Sequence, residues 1–317
     1  MKLAFVFPGQ GSQYVGMGQA LAQAYPEARA ALDEADAALG GGLSRMMSDG
    51  PEEELRKTAN TQPAILAVSV ATHRALVKEA GGTFQVPAFY AGHSLGEWSA
   101  LTAAGALSLT DAVRSVRARG QFMQEAVPAG EGAMAAILGL DAQAVNEACA
   151  EARAQELGRV VEPANYNSPE QTVIAGHASA VDRAIALCKA RGAKRALPLP
   201  VSAPFHCSLM APVQQRLARV LGAFQMKQPN AMVIANATAE ANADPAQIVP
   251  LLLTQVTAPV RWVESVRRMA AGGVDTVIEL GPGKVLAGLI RRIEKGLRVY
   301  SVEDPAGLKA VLSEVFK

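Results

Sequence analysis

The stretch FYAGHSLGEWSAL, from Phe89 to Leu101, holds the pattern Gly92-His93-Ser94-Leu95-Gly96 between an apolar run and a helix-like one. A G-x-S-x-G sequence at a strand-to-helix junction can present a serine hydroxyl above the strand ends. The backbone N–H of the next residue, here Leu95, then points at the same reaction centre. The same residues also suit a plain turn in which Ser94 caps a helix, so the motif alone leaves both readings open. A serine hydroxyl is a weak nucleophile until a base takes its proton, and the chain has four histidines to offer. His93 adjoins Ser94, and neighbouring side chains in an extended segment diverge. His73 is expected at the exposed edge of an amphipathic helix, and His177 follows VIAG where a loop enters a helix; both read as structural. His206 stands in VSAPFHCSLM, an irregular, Pro-bearing stretch of the kind where functional groups concentrate, and it is the candidate base. A lone histidine is also commonly an ordinary surface or half-buried residue, a reading that the spacing does not remove. Cys207 beside it competes as a nucleophile in principle, but nothing local marks a thiolate site.

The elements that must carry these groups alternate in type. Short β-like runs (LAFVF, VPAFYA, MVIAN, DTVIEL) are interleaved with helical segments, among them one around Thr61 to Lys78 and one after Glu97. The pattern predicts an α/β fold, a hydrolase-like, largely parallel sheet covered by helices. Between Pro128-Ala129-Gly130 and LPLPVSAP the rhythm changes. Strand-like AMAAILGL is followed by helix-like AQAVNEACAEARA, strand-like RVVEPANYN and QTVIAG, helix-like AVDRAIALCKARG and strand-like AKRALPLPV. This β-α-β-β-α-β order is ferredoxin-like. Pro and Gly punctuate both ends, so residues 128–200 are expected to form a small subdomain inserted into a discontinuous large one made of 1–127 and 201–317.

The 317 residues are 50% hydrophobic and 19% charged, which supports a large core and excludes a disordered or fibrous chain. A net charge of +1 provides no polyanion-binding surface, so nucleic acid is not an expected partner. The apolar run Leu3 to Phe7 ends at Pro8-Gly9 without the h-region of a signal peptide. PAILAVSVA runs into His73 and Arg74, well short of the roughly 20 apolar residues of a membrane span. A cytoplasmic protein without a membrane partner is therefore expected. Cys149, Cys188 and Cys207 are odd in number and far apart, which argues against a disulfide framework or a zinc site; they read as small core residues.

Seven blocks, FVFPGQGSQ, TQPAI, GHSLGEWSAL, RGQFMQEAVP, NSPEQTVIAG, FHCSLM and ELGPGKVL, occur in this order along nearly the whole chain. Together they resemble the bacterial malonyl-CoA:acyl carrier protein transacylases, whose smaller subdomain is similar to the inferred βαββαβ insertion. Matching positions imply that Ser94 is acylated, that His206 is its base, and that the backbone N–H groups of Gln10 and Leu95 form an oxyanion hole. PGQGSQ is compatible with this, being a tight Gly-rich turn whose N–H groups can converge on a small anion; Gln10 would serve equally as a turn residue. The Gly-Lys-Ser/Thr ending of a phosphate loop is absent, and a dinucleotide GxGxxG fails at Tyr14. The resemblance makes Arg119 the residue that recognises the free carboxylate by which malonyl-CoA differs from acetyl-CoA. A guanidinium suits that task because its planar fork offers two parallel N–H donors. Apart from the resemblance, Arg114, Arg117 and Arg119 look like an ordinary charged helix end. Gln62 and Asn165 correspond to polar residues near the cleft that orient Arg119 or the acyl group. Ala258 corresponds to a position whose backbone carbonyl orients the histidine, which implies a Ser-His dyad supported by backbone and not a full triad. Trp98 stands where relatives commonly have tyrosine, keeping an aromatic wall without the hydroxyl.

The implied reaction is ping-pong: Ser94 takes the malonyl group from coenzyme A and passes it to the phosphopantetheine thiol of holo acyl carrier protein, for fatty-acid chain extension. No metal or redox cofactor is required, and a monomeric chain is expected. The cluster Lys189, Arg191, Lys194 and Arg195 is either a solvated helix face or a docking surface for an acidic carrier protein, with Lys189 and Arg195 as the docking candidates. Two other classes share the serine motif. An α/β-hydrolase-type esterase or thioesterase would place its histidine late in the chain, whereas a long stretch still follows His206. A carrier-protein-binding module with a dead site would show no acylation.

Overall fold

The computed structural model describes residues 1–128, 130–201 and 203–317; Ala129 and Ser202, one beside each expected subdomain boundary, lie outside the described residues. Among the described residues, the strands are β1 (Leu3–Phe7), β2 (Phe89–Gly92), β3 (Gly132–Leu138), β4 (Val161–Ser168), β5 (Gln171–His177), β6 (Arg195–Pro198), β7 (Met232–Ile234), β8 (Ala241–Asn242), β9 (Thr276–Leu280) and β10 (Arg298–Val302). They form two sheets. The larger has the order β10-β9-β1-β2-β7-β8. Its pairs are parallel except for β7 with β8.

The first strand shows why helices cover this sheet on both sides. All five residues of LAFVF are buried; Leu3, Phe5 and Phe7 enter one hydrophobic cluster, Ala4 and Val6 another. Side chains alternate across a strand, so a strand apolar at every position needs a packed layer on each face. On the Phe5 and Phe7 side lies the helix Thr58–Ala80, slightly longer than the sequence suggests and buried around most of its circumference. His73 on this helix is not at an exposed edge. It is only 8% exposed, its ring meeting Phe5, Phe7, Phe84 and Tyr90 edge to face, and burial lowers its pKa to about 4. The preceding run from Ala64 to Ala71 is apolar except for Ser69, and the polar edge of the last turns is occupied by Arg74 and Lys78, which pair with Glu34 and Glu27, while His73 lies on the buried side.

The smaller sheet is antiparallel, in the order β4-β5-β3-β6. With the helices Ala142–Ala154 and Ala178–Ala190 between its strands it is the ferredoxin-like β-α-β-β-α-β unit. One face packs Ile137, Val161 and Ile174 against its helices, taking in Cys149 and Cys188. The other packs Met134, Ala136 and Val173 against Phe205 and Cys207, the neighbours of His206. All three cysteines are buried free thiols, as small core residues should be. β4 reaches beyond its own sheet. Glu162 accepts hydrogen bonds from the N–H and Oγ–H of Ser208 at 2.7 and 3.0 Å. Val260 donates to the Ala164 carbonyl (2.8 Å) and accepts from Tyr166 N–H (2.9 Å), and Asn167 Oδ1 lies 2.7 Å from His93 Nε2. One strand thereby ties down the segments around residues 93, 208 and 260. No helix among the described residues is long and apolar enough to cross a membrane.

Candidate active site

β2 runs straight into Ser94, and the helix Leu95–Ala103 starts at the next residue. Ser94 itself adopts φ 51° and ψ −103°, a strained backbone state that costs about 1–3 kcal/mol and persists only where its surroundings enforce it. The flanking glycines are needed for another reason than turn geometry. A Cβ on Gly92 would fall 2.1 Å from the Gly96 backbone, and one on Gly96 would fall 2.0 Å from the Phe7 carbonyl oxygen. They let the helix start press against the strand ends while the unusual φ falls on the serine. Asn236 fixes the bend: its Oδ1 accepts from Ser94 N–H at 2.6 Å and its Nδ2 donates to the Gly92 carbonyl at 2.7 Å.

His206, also at positive φ (59°), brings Nε2 to 2.7 Å from Ser94 Oγ. Its Nδ1 lies 2.9 Å from the main-chain carbonyl of Gln255. A carbonyl only accepts, so Nδ1 carries the proton and the Nε2 lone pair faces the serine hydroxyl. Burial, reinforced by the nearby Arg119 charge, lowers the His206 pKa to about 3, so the ring rests as the neutral base. The orienting carbonyl belongs to Gln255, not to Ala258 as expected; Ala258 makes the lesser contribution of the two. The helix Pro245–Thr257 ends just before Ala258, and its last turn aims the earlier carbonyl at the ring. A main-chain group thus stands where a triad would have a carboxylate.

Arg119 projects from the helix Leu109–Glu125 and is 2% exposed, far from a solvated helix end. Nη1 donates to Gln62 Oε1 at 2.7 Å, while Nη2 donates to Gln255 Oε1 at 3.0 Å and to Ser94 Oγ at 3.1 Å. Burial lowers its pKa to about 10 and the field of Glu97 opposes that, so the guanidinium is charged at neutral pH. Gln62 is therefore an orienter of Arg119, and it is tied in turn through Thr58 to the Gln10 side chain. Asn165 lines the same cleft without a hydrogen bond to Arg119.

The cleft holds about 110 Å³ and is walled by Met123, Met134, Leu199, Val201 and Phe205 around Gln10, Ser94, Arg119 and His206. At about 30 Å³ per water this suits a short acyl group. A larger cavity of about 650 Å³ beside Arg74 and Lys227 has no serine–histidine pair; its Ser108 donates to Asp111 at 2.6 Å and caps the helix Leu109–Glu125, so chemistry selects the smaller one. Trp98 is not a wall of the cleft; it is fully buried in the main core. His93 lines the cleft but is committed to Asn167, and His177 Nδ1 accepts from Val160 N–H at the end of the smaller sheet. Lys189 and Arg195 are exposed, at a helix end and on edge strand β6. Among the described residues no group of acidic, His or Cys side chains is placed to hold a metal ion.

Three residues of this centre escaped the sequence reading: Gln255, Asn236 and Glu97. Glu97 is 3% exposed and its Oε2 accepts from Asn236 N–H and Gln255 Nε2, both at 2.8 Å. Gln255 also donates to the Ser94 carbonyl at 2.9 Å. Their one sequence signal is a polar residue inside an otherwise apolar stretch, as in LLLTQVT.

The acyl transferase domain family matches residues 4–307. The malonyl CoA-acyl carrier protein transacylase of Salmonella typhimurium is 50% identical over 313 residues, covering 99% of both chains. The crystal structure of an acyl carrier protein S-malonyltransferase from Vibrio cholerae, 50% identical, superposes with a TM-score of 0.94 over 98% of this chain and all of that one. A type II PKS acyl-carrier protein in complex with its malonyl-transacylase gives a TM-score of 0.94 at 46% identity, covering 99% of each chain. The strained serine, its backbone-supported histidine and the buried arginine thus lie on a scaffold shared end to end, and the chain belongs to the malonyl CoA-acyl carrier protein transacylases of the acyl transferase family.

Proposed function

We infer that the chain transfers the malonyl group of malonyl-CoA to the phosphopantetheine thiol of acyl carrier protein, supplying fatty-acid synthesis, with Ser94, His206 and Arg119 as the working residues. Ser94 Oγ attacks the thioester carbonyl as its proton passes to His206 Nε2. The backbone N–H groups of Gln10 and Leu95 receive the developing oxyanion. Collapse of the tetrahedral adduct breaks the C–S bond, and the imidazolium returns the proton to the departing coenzyme A sulfur. The carrier thiol then repeats the sequence in reverse order, giving its proton to His206, taking the malonyl group and restoring the serine hydroxyl. The Gln255 carbonyl holds the imidazole through both half-reactions. The apolar walls of the cleft disfavour water as a competing acceptor. Lys189 and Arg195 form the proposed docking surface for the acidic carrier.

The observation that carries the reading is Arg119: a buried cation 3.1 Å from the nucleophile whose other partners are neutral amides. Such a group is matched by a substrate that brings its own carboxylate. Intact-mass analysis after incubation with malonyl-CoA tests it. A stable malonyl adduct is expected on the native chain and none on Ser94→Ala. Rapid turnover to free malonate would identify a hydrolase, and no adduct on the native chain would leave only a binding module.

A further inference from the structure

Glu97 takes no part in the steps above, yet it is built into the centre. One oxygen, Oε2, accepts both of its hydrogen bonds, from Asn236 N–H and Gln255 Nε2. The opposite end of the same Gln255 amide, Oε1, accepts from Arg119 Nη2. A carboxylate and a guanidinium are therefore joined through one side-chain amide, with Glu97, Asn236, Gln255 and Arg119 all at most 3% exposed. A buried cation without a counter-charge is costly. Arg119 is the charged group whose field acts on Glu97, and Glu97 the one whose field acts on Arg119. The other titratable neighbours are His206 and His93 in the cleft and His73 on the helix Thr58–Ala80, and burial keeps all three neutral.

We propose that Glu97 is the resting counter-charge of Arg119, and that it takes up a proton from solvent when the malonyl carboxylate pairs with Arg119, releasing it when the malonyl group leaves. This rests on the assignment of Arg119 to the malonyl carboxylate. Two carboxylates cannot both stay ionised beside one guanidinium in a dry cleft, because like charges there raise each other's pKa. Glu97 is the one poised to yield. Burial already pushes it up to about 7, against the lowering by its hydrogen bonds and by Arg119. Protonation at Oε1, which has no hydrogen-bond partner among the described residues, leaves both bonds to Oε2 in place. Glu97 is thus a positioning residue that keeps the centre charge-balanced with and without malonate. An acetyl group would not trigger the exchange.

The test counts protons during single-turnover malonylation, without carrier protein, using a pH indicator in weak buffer, with the Ser94 adduct followed by mass. About half a proton per adduct is expected to be taken up at pH 7 by the native enzyme, given a Glu97 pKa of about 7. Glu97→Gln, whose amide oxygen can accept both hydrogen bonds, is expected to form the adduct with no uptake. Native acylation should fall about tenfold per pH unit above 7, and the variant should not follow it. Malonylated Ser94 without proton uptake in the native enzyme, or the same uptake in Glu97→Gln, overturns the proposal and leaves the transfer reading intact. Failure of the native enzyme to form the adduct overturns the transfer reading, and this inference with it. The native proton count decides the matter even if the variant does not fold.

Discussion

Replacing Arg119 with alanine should separate malonyl from acetyl transfer, and the structure sets the scale. The change removes a buried cation and its three hydrogen bonds, to Gln62, Gln255 and Ser94. A malonyl carboxylate entering the cleft would then be an unpaired buried charge, a penalty of about 3–5 kcal/mol. At about 1.36 kcal/mol per tenfold, malonyl-CoA kcat/KM should fall by roughly 10²- to 5 × 10³-fold. An acetyl group brings no carboxylate. Ser94 keeps its base at 2.7 Å, and water admitted to the enlarged cleft can satisfy the freed amide oxygens of Gln62 and Gln255. Acetyl-CoA kcat/KM should therefore be unchanged or higher, because the guanidinium that disfavoured an apolar methyl is gone. Arg119→Lys should recover little, since a single ammonium cannot present a parallel pair of donors while bonded to two amides. The assay compares both acyl-CoAs in native and variant enzyme with Ser94 acylation followed directly. A parallel fall for the two substrates would refute carboxylate recognition and make Arg119 a support of the fold or of the common chemistry.

Ser94→Gly and Ser94→Ala should both abolish the adduct, and the glycine variant should be about 1 kcal/mol the more stable in urea unfolding, since both lose the hydroxyl's bonds to His206 and Arg119 and only glycine relieves the strain at φ 51°; equal stability of the two variants would show the bend to be unstrained. His206→Ala should slow acylation by about 10²–10⁴-fold, and a near-native single-turnover rate would exclude it as the base. Because burial holds His206 at about 3, native acylation should not decline between pH 7 and 5 as it would for an ordinary imidazole; a limb near pH 6.5 would contradict this environment. Charge reversal at Lys189 and Arg195 should weaken transfer to carrier protein more than acylation from malonyl-CoA, and the difference should shrink with salt; equal loss in both half-reactions would remove the docking assignment.

Local patterns carried the reading of the fold and of the candidate groups that the structure brings together. LAFVF, VPAFYA and DTVIEL became neighbouring strands, and the β-α-β-β-α-β rhythm became the smaller sheet, because periodicity and turn residues act over a few positions. Ser94 and His206, which the structure brings to 2.7 Å of each other, were legible as candidates because each sits in an irregular junction between elements. What holds them was not. Gln255 meets Ser94 across 161 positions and Asn236 meets it across 142. From sequence each is one polar residue among apolar ones, and only tertiary closure shows what it faces. His73 was misplaced because helical periodicity says little when a helix is buried almost all round. The Gly92 and Gly96 contacts depend on how closely a strand and a helix approach, a distance that no spacing encodes.

The position of β1 links the order of synthesis to the order of assembly. It is made before every other strand of its sheet, yet it lies inside that sheet, with Leu3 opposite Thr276 on one side and Ala4 opposite Phe89 on the other. At roughly 5–20 residues per second, residue 276 is made on the order of 15–55 s after the first strand. For that interval one edge of an entirely apolar strand has no native neighbour, and unpaired apolar edges are where chains associate wrongly. The strand β1 therefore stays open on one flank until β9 is made, and β9 in turn waits for β10; a nascent chain halted before β9 leaves an entirely apolar strand with one side unpaired.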